Sequence, residues 1–494
     1  MQLAGKYKNY IYIGLMLLFT AVFITICSEN SFLYKMNVWG DVNIYYTVAK
    51  SMLKGKVLYR DIYDQKGLYL FAIHMLAVLI SDSSYIGMYL FELLFGFTFA
   101  ISMYKILGLF MPSAKRKAIY VTIIMLLLYI SPSFCQGDSA EEMTLPLFGI
   151  SMYFIIRSLK NHTTMKWWEV ALSGAFAGIA IFIKFTLVAF YIPFCLFIFF
   201  TAIKDKRVGK AFLYVLYFLL GLGLASAPVF IYFGMNNALP DLWEGYFYNN
   251  LFLYSTAESH SIFVVIGSFL TAYISSFVNS YPIYPLIVLG FIYMIINKEY
   301  KDRLHFFIIS AYVLINFFIF IGGRKYNYYS MPMNVFTWYG IVQFDKHILP
   351  RFVAEMRAIK KPMVVLGAVL PTICFFLNGN TYHIFRARED YHQFQFAEII
   401  NQEENPTLLN YGFLDMGLFF LCDIEPNSKY FTTINVDLPE MHEEQENGIK
   451  NGQFTFVVTR GKKLDESFDK YELVSEARSE YGTRMHNFYL YKLV

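Results

Sequence analysis

The sequence predicts a mainly α, polytopic membrane protein with a small α/β domain at its C-terminal end, and three observations predict it. Of 494 residues, 57% are hydrophobic and only 16% charged, outside the usual balance of soluble globular domains. Apolar runs long enough to approach a bilayer crossing recur from about residue 10 to residue 379. After Gly379 the composition changes abruptly to charged and mixed segments.

The first apolar run, Tyr10–Ser28, follows Lys6 and Lys8, is long for the core of a signal peptide, and is not followed by a small-residue cleavage site. It is expected to remain as the first helix. Further spans are expected at about 85–109, 118–134, 144–159, 168–183, 186–203, 210–234, 303–321, 328–344 and 361–379. Basic clusters at Lys115–Lys117, Lys204–Arg207, Lys298–Arg303 and Arg351–Lys361 separate these runs and mark cytoplasmic loops under the positive-inside rule. The N-terminus is then cytoplasmic, while 29–66, 135–143, 235–260, 322–327 and everything after about 380 face outside. That count requires an odd number of crossings between 29 and 115, so the short run Leu68–Ile80 should lie along the interface. The two runs within 261–297 must likewise supply a single crossing. About eleven transmembrane helices result, and the chain divides into a membrane domain, 1–380, that includes the first outer loop 29–66 with its interfacial helices, and an extracytoplasmic domain, 381–494.

In the latter, Thr407–Tyr411, Phe454–Thr459 and Asn487–Leu490 read as strands and Tyr391–Gln402 as a helix. The segment is long enough to bury a core of its own. A net charge of +4 without a long basic block gives no reason to expect nucleic acid as a partner. Five cysteines show neither CxxC spacing nor His/Cys clustering, so no zinc site is indicated, and a Cys135–Cys422 pair is the one disulfide to consider. No internal repeat is visible, which weighs against inverted-repeat transporters.

The segment Asn37–Leu70 is dense in charge and tyrosine where a plain loop needs neither. Val42–Leu53 has the pattern of an interfacial amphipathic helix. Asp41 stands at its N-terminal edge, where the helix dipole favours a carboxylate, so an N-cap is the plainer explanation of this residue.

In order along this loop, Asp41, Tyr45, Tyr46, Ala49, Gly55, Tyr59, Asp61, Asp64, Lys66 and Gly67 resemble the first outer loop of membrane glycosyltransferases of the GT-C fold. The likeness is to the bacterial relatives of protein O-mannosyltransferases and of the lipid A aminoarabinose transferase. Leu68 stands where that family has proline, which puts the turn after Lys66 in question. Three further segments extend the resemblance. Gly174–Lys184 ends an apolar helix on a lysine, as in a family element that contacts the carrier phosphate; snorkelling explains such a lysine equally well. Gly137–Pro146, with Asp138, Glu141 and Glu142, is similar to the family's second outer loop with its acid, although acids also favour any helix start. Gly322–Pro332 carries Arg324, Lys325 and Tyr329 on the expected outer side and is similar to an element near the family's donor site. Headgroup anchoring is the alternative for the two cations.

The resemblance implies sugar transfer from a polyprenyl-phosphate donor to a cell-envelope glycan, lipid or protein on the outer face of a bacterial plasma membrane. Such a reaction needs a deprotonated acceptor and a neutralised leaving phosphate. Asp41 is the candidate general base of an inverting displacement. Lys66, Lys184, Arg324, Lys325 and Tyr329 are the candidate phosphate-binding residues. Asp61, Asp64, Asp138, Glu141 and Glu142 are candidates for positioning the acceptor, or as second acids. A divalent cation is possible, but no metal-ligand constellation assigns one. The loop Pro240–Tyr254 could cover such a site, or serve as an interfacial aromatic belt. Two other classes stay open. One is a transporter or flippase of lipid-linked sugars, which predicts charges within the spans, whereas these spans read as apolar throughout. The other is a non-catalytic envelope assembly protein.

Overall fold

The computed structural model describes residues 2–254, 262–350, 362–482 and 484–494. The basic cluster expected at Arg351–Lys361 lies outside them. The chain forms two compact units: Met1–Ser28 with Leu90–Pro228 and Thr256–Thr381, and Glu29–Tyr89 with Val229–Ser255 and Tyr382–Val494.

The first unit is helical. Its chain contains or shares α1 (Gln2–Cys27), α4 (Ile86–Leu107), α5 (Ala114–Tyr129), α6 (Ala140–Lys160), α7 (Trp167–Ile181), α8 (Tyr191–Lys204) and α9 (Val208–Met235), and continues through helices Ile262–Asn279, Tyr284–Ile296, Arg303–Phe320 and Pro362–Leu377. Among the described residues, five helical segments are long and apolar enough to cross a membrane. The two runs of 261–297 form helices bent by 110° at their junction, a broken span or a re-entrant pair. The other expected spans are shorter, more charged or interrupted. The run expected at 328–344 is not one regular helix but a 3₁₀ segment, Asn327–Phe336, followed by an α turn, Thr337–Gln343. Pro332 removes a backbone donor there, and the side chains of Ser330, Asn334 and Thr337 bond to carbonyls three residues back.

Glycines set the packing of α7 on α9. A Cβ on Gly174 would lie 2.0 Å from the Phe218 carbonyl oxygen, and one on Gly221 would lie 1.8 Å from that of Ala171. The two backbones touch because these residues carry no side chain, which is how helices associate where water supplies no hydrophobic drive. Lys184 follows the end of α7.

In the second unit, α2 (Gly40–Leu53) and α3 (Leu68–Ile80) pack through aromatic rings. Tyr45 meets Phe71 at 6.1 Å and His74 at 5.2 Å, edge to face. The interfacial amphipathic pattern expected of α2 does not describe its surroundings, because nearly every residue from Gly40 to Met52 is buried. Its polar side chains face protein instead: Asn43 accepts from the Tyr85 hydroxyl at 2.5 Å, and Lys50 pairs with Asp423 at 2.5 Å.

The C-terminal part carries helices His392–Ile400 and Pro439–Asn451 and a four-stranded sheet of order β1-β2-β4-β3. Strands β1 (Leu408–Tyr411) and β2 (Phe456–Arg460) are parallel, and β4 (Arg484–Leu493) runs antiparallel to both β2 and β3 (Tyr471–Tyr481). Its core gathers Leu409, Ile449, Phe454, Val457 and Tyr471. The three strands expected from sequence are present. β3 was not expected, because charged residues interrupt it at Glu472, Glu476, Arg478 and Glu480 and only three of its eleven residues are buried, so the edge strand has little apolar alternation to reveal it. All five cysteines are free, so the Cys135–Cys422 bond is absent.

Candidate active site

The expected site residues fall into two groups, one in each unit. In the second unit, Asp41 lies in the first turn of α2, but it is not the N-cap: that position is Trp39, without a side-chain cap. The Asp41 carboxylate instead accepts from the Tyr45 hydroxyl, one helical turn on, at 3.3 Å. The Lys66 ammonium lies 5.6 Å from the centre of the Tyr45 ring. Asp64 accepts from the Lys66 backbone N–H at 2.8 Å, and the Tyr59 hydroxyl donates to the Lys66 carbonyl at 2.5 Å. Asp41, Asp64 and Lys66 are all at least nine-tenths buried. Burial raises the Asp64 carboxyl above the usual carboxylate range, Lys66 opposes that rise, and the neighbouring charge of Asp41 adds to it. A buried group of two carboxylates and one ammonium thus occupies this turn.

Local sequence accounts for the placement. Gly40 lets α2 start against the loop after β1, where a Cβ would stand 3.0 Å from the Asp415 carbonyl oxygen. Leu68 occupies the first position of α3, where proline is also tolerated, so its replacement of the family's proline leaves a helix start in place. Asp61 faces its own turn: it accepts from Arg60 at 2.8 and 2.9 Å and from the Val57 N–H at 2.8 Å. The aromatic segment 240–254 packs on this loop. Asn250 donates to the Gln65 carbonyl at 2.8 Å, Asn249 donates to the Tyr63 hydroxyl at 2.9 Å, and Gly245 lies against the Tyr59 ring.

In the first unit, the Lys184 ammonium is 2.5 Å from a Glu141 carboxylate oxygen and 3.7 Å from the centre of the Tyr329 ring. Glu141 lies in the first turn of α6, which Ser139 caps by accepting from the Glu142 N–H at 3.0 Å. The Asp138 N–H donates to Glu142 at 2.9 Å. Ser139 also reaches Met331 at 3.4 Å, so the start of α6, Lys184 and the Tyr328–Met331 segment converge. Glu141 and Glu142 each keep one buried carboxylate oxygen without a partner among the described residues. Arg324, half-buried, and Lys325, exposed, precede Tyr329 in the same segment.

Sequence reasoning missed Glu92, and with it the premise that the spans are apolar throughout. Glu92 lies within α4, is fully buried, and accepts from the Ser28 hydroxyl at 2.6 Å. A Cβ on Gly137 would stand 2.2 Å from its Oε1, which brings it against the loop carrying Asp138. An acid inside an otherwise apolar run was the signal available. Asp415, also missed, is buried and raised to about 6 by that burial, against hydrogen bonds from Asn410 and the Leu418 N–H. Among the described residues no group of three His, Cys, Asp or Glu could hold a metal ion.

Residues 65–232 match the model of the family described as dolichyl-phosphate-mannose-protein mannosyltransferase. No curated protein matches the sequence. In structure the chain is similar to ArnT from Cupriavidus metallidurans bound to undecaprenyl phosphate, with a TM-score of 0.59 at 12% identity over 97% of each chain. The apo state of the same protein matches with a TM-score of 0.57 at 12% identity, over 99% of this chain and 98% of that one. The chain has the fold of ArnT, a GT-C fold.

Proposed function

We propose that this chain, having the GT-C fold, is a membrane glycosyltransferase that moves a sugar from a polyprenyl-phosphate donor to a cell-envelope acceptor on the outer face of the plasma membrane. The observation that carries the reading is the half-buried Lys184 ammonium, seated on the Tyr329 ring and on Glu141, with Lys184 and Glu141 both within the segment that matches the mannosyltransferase family model. A structural neighbour of the whole chain holds undecaprenyl phosphate, which supports a donor of that class.

In the proposed reaction the acceptor hydroxyl loses its proton to the Asp41 carboxylate and its oxygen bonds to the anomeric carbon from the face opposite the phosphate. The carbon–oxygen bond to the phosphate breaks, and that electron pair leaves with the phosphate, so configuration inverts. Because phosphate leaves as an anion, no acid need protonate it. Lys66, Lys184, Arg324 and Lys325 offset the growing charge, an effect that is stronger at groups held out of water. Glu141 keeps Lys184 oriented, and the acids Asp64, Asp138 and Glu142 position the acceptor. Transport of a lipid-linked sugar is the second reading, and Glu92 inside α4 is the observation that favours it.

Mass spectrometry of lipid retained through purification in mild detergent tests the donor assignment. A polyprenyl phosphate or its glycosyl ester bound to the wild-type protein supports it. Its absence, with only bulk phospholipid retained, contradicts it. Purified protein that turns over such a donor and forms a glycosidic bond excludes the transport reading.

A further inference from the structure

A cavity of about 630 Å³ opens in the first unit at the far end of α6 from the Lys184 group. Its walls are the C-terminal end of α6, the loop 161–166, the end of α8, the start of α9 and the residues that open helix Arg303–Phe320. Glu141 and Ser158 lie on the same helix, seventeen steps apart, and at 1.5 Å per residue this is roughly 25 Å, close to the thickness of a bilayer's hydrocarbon core. The cavity therefore belongs to the opposite headgroup region, and the proposed transfer chemistry makes no use of it.

Its lining is divided by chemistry. Phe197 and Ile198 present an apolar wall, Thr163 and Thr201 supply hydroxyl groups, and Arg207, Lys210 and Arg303 bring three cations to it. Arg303 is engaged by Asp205 at 2.8 Å. Asp205 and Asp302 line the cavity too, and the charge of Arg207 acts on Asp205, but among the described residues no carboxylate comes within 4.0 Å of the charged group of Arg207, just before α9, or of Lys210 in its first turn. Tyr214 donates to the Met165 carbonyl at 3.1 Å across the cavity's lining, and His162 and Lys206 take left-handed backbone conformations in the two loops beside it. The volume is that of a ligand pocket rather than of a packing defect.

We propose that this cavity is a second binding site, specific for a phosphate ester, in which Arg207 and Lys210 hold the phosphate. Two sources carry that chemistry: the headgroup of an anionic phospholipid, whose chains would run along the apolar wall, and a soluble phosphate compound. Cations and hydroxyls converging at headgroup depth suit either.

The test uses the full chain in nanodiscs. In discs of mixed phosphatidylglycerol and phosphatidylcholine, lipid retained on release into detergent is quantified for wild type, for Arg207→Gln with Lys210→Gln, and for Lys115→Gln with Lys117→Gln at another basic loop. In pure phosphatidylcholine discs, hydrogen exchange of 161–166 and 205–210 is followed as inorganic pyrophosphate is added. Phosphatidylglycerol enriched about tenfold on wild type and on the Lys115/Lys117 variant, but not on the Arg207/Lys210 variant, supports the site with lipid as its ligand. Protection by pyrophosphate that the Arg207/Lys210 variant loses supports it with a soluble ligand. Equal retention by wild type and the Arg207/Lys210 variant with no protection by pyrophosphate, or equal losses in both variants, overturns it.

Discussion

The ammonium of Lys184 rests 2.5 Å from the Glu141 carboxylate and 3.7 Å from the centre of the Tyr329 ring. Lys184 is only 12% exposed and Glu141 1%, so each is the other's compensation for leaving water. Lys184→Gln removes the cation and leaves a buried carboxylate uncompensated. It should destabilise the protein by about 3–5 kcal/mol, because breaking a buried pair from one side costs more than the pair contributes. The double variant Lys184→Gln with Glu141→Gln should recover much of that loss in thermal unfolding. It should still transfer sugar on the order of a hundredfold more slowly than wild type, because the leaving phosphate has lost a cation.

Lys325 is exposed where Lys184 is half-buried, and its variant should differ accordingly. Lys325→Ala should leave thermal stability unchanged within about 0.5 kcal/mol, since surface substitutions seldom exceed that. The same variant should raise KM for the polyprenyl-phosphate donor by about tenfold or more, as expected for charge-assisted contacts to a phosphate. Steady-state kinetics over a range of donor concentrations in lipid checks both parameters.

Gly137 combines a backbone φ of +94° with a close approach to Glu92. Gly137→Ala meets both obstacles: the conformation is one that side chains rarely adopt, and the added methyl would need Glu92 to move. A destabilisation of about 2 kcal/mol or more is expected, read as a lower melting temperature in nanodiscs. Gly223, where an added Cβ would meet no atom within 4 Å, is a natural comparison, and Gly223→Ala should be neutral or slightly stabilising.

His392 supplies a pH dependence in the C-terminal part. Its ring is fully buried and stacked on Phe488 at 3.6 Å, and burial lowers its pKa from 6.5 to about 3. The folded state therefore needs the neutral ring, while the unfolded chain takes up a proton below pH 6.5. The stabilisation is present above 6.5 and is lost as pH falls toward 3, by about 2–3 kcal/mol at pH 4.5. Asp415 runs the other way: with its pKa raised to about 6, its contribution is present below 3.8 and lost as pH rises through 6. On acidification below 6.5 the protection factors of β2 and β4 in the full chain, which are corrected for the intrinsic exchange rate, should fall in wild type relative to His392→Phe, the difference being the His392 contribution.

Much of the fold could be read from the chain because its strongest signals are local. Long apolar runs became helices within a few residues of their expected ends, as at α4 and α9, and the three expected strands are the ones with buried stretches. Signals that depend on partners failed. α2 looks amphipathic, yet its polar face meets Tyr85 and Asp423, far away in sequence. Asp41 reads as an N-cap, but α2 already begins at Gly40, so the carboxylate lies inside the first turn and meets Tyr45. The pairing of Lys184 with Glu141 spans 43 residues and has no local trace. Glu92 was visible as a single acid in an apolar run, but the significance of Gly137 beside it appears only in three dimensions.

The assignment of Asp41 as general base is tested by the rate of sugar transfer from a polyprenyl-phosphate donor by wild type and by Asp41→Asn, each reconstituted in lipid, with folding and donor retention measured on the same samples. Asparagine keeps the size and the contact to Tyr45 but cannot take the proton, so kcat should fall by about a thousandfold while donor is still retained. Transfer by Asp41→Asn within a few-fold of wild type would contradict the assignment.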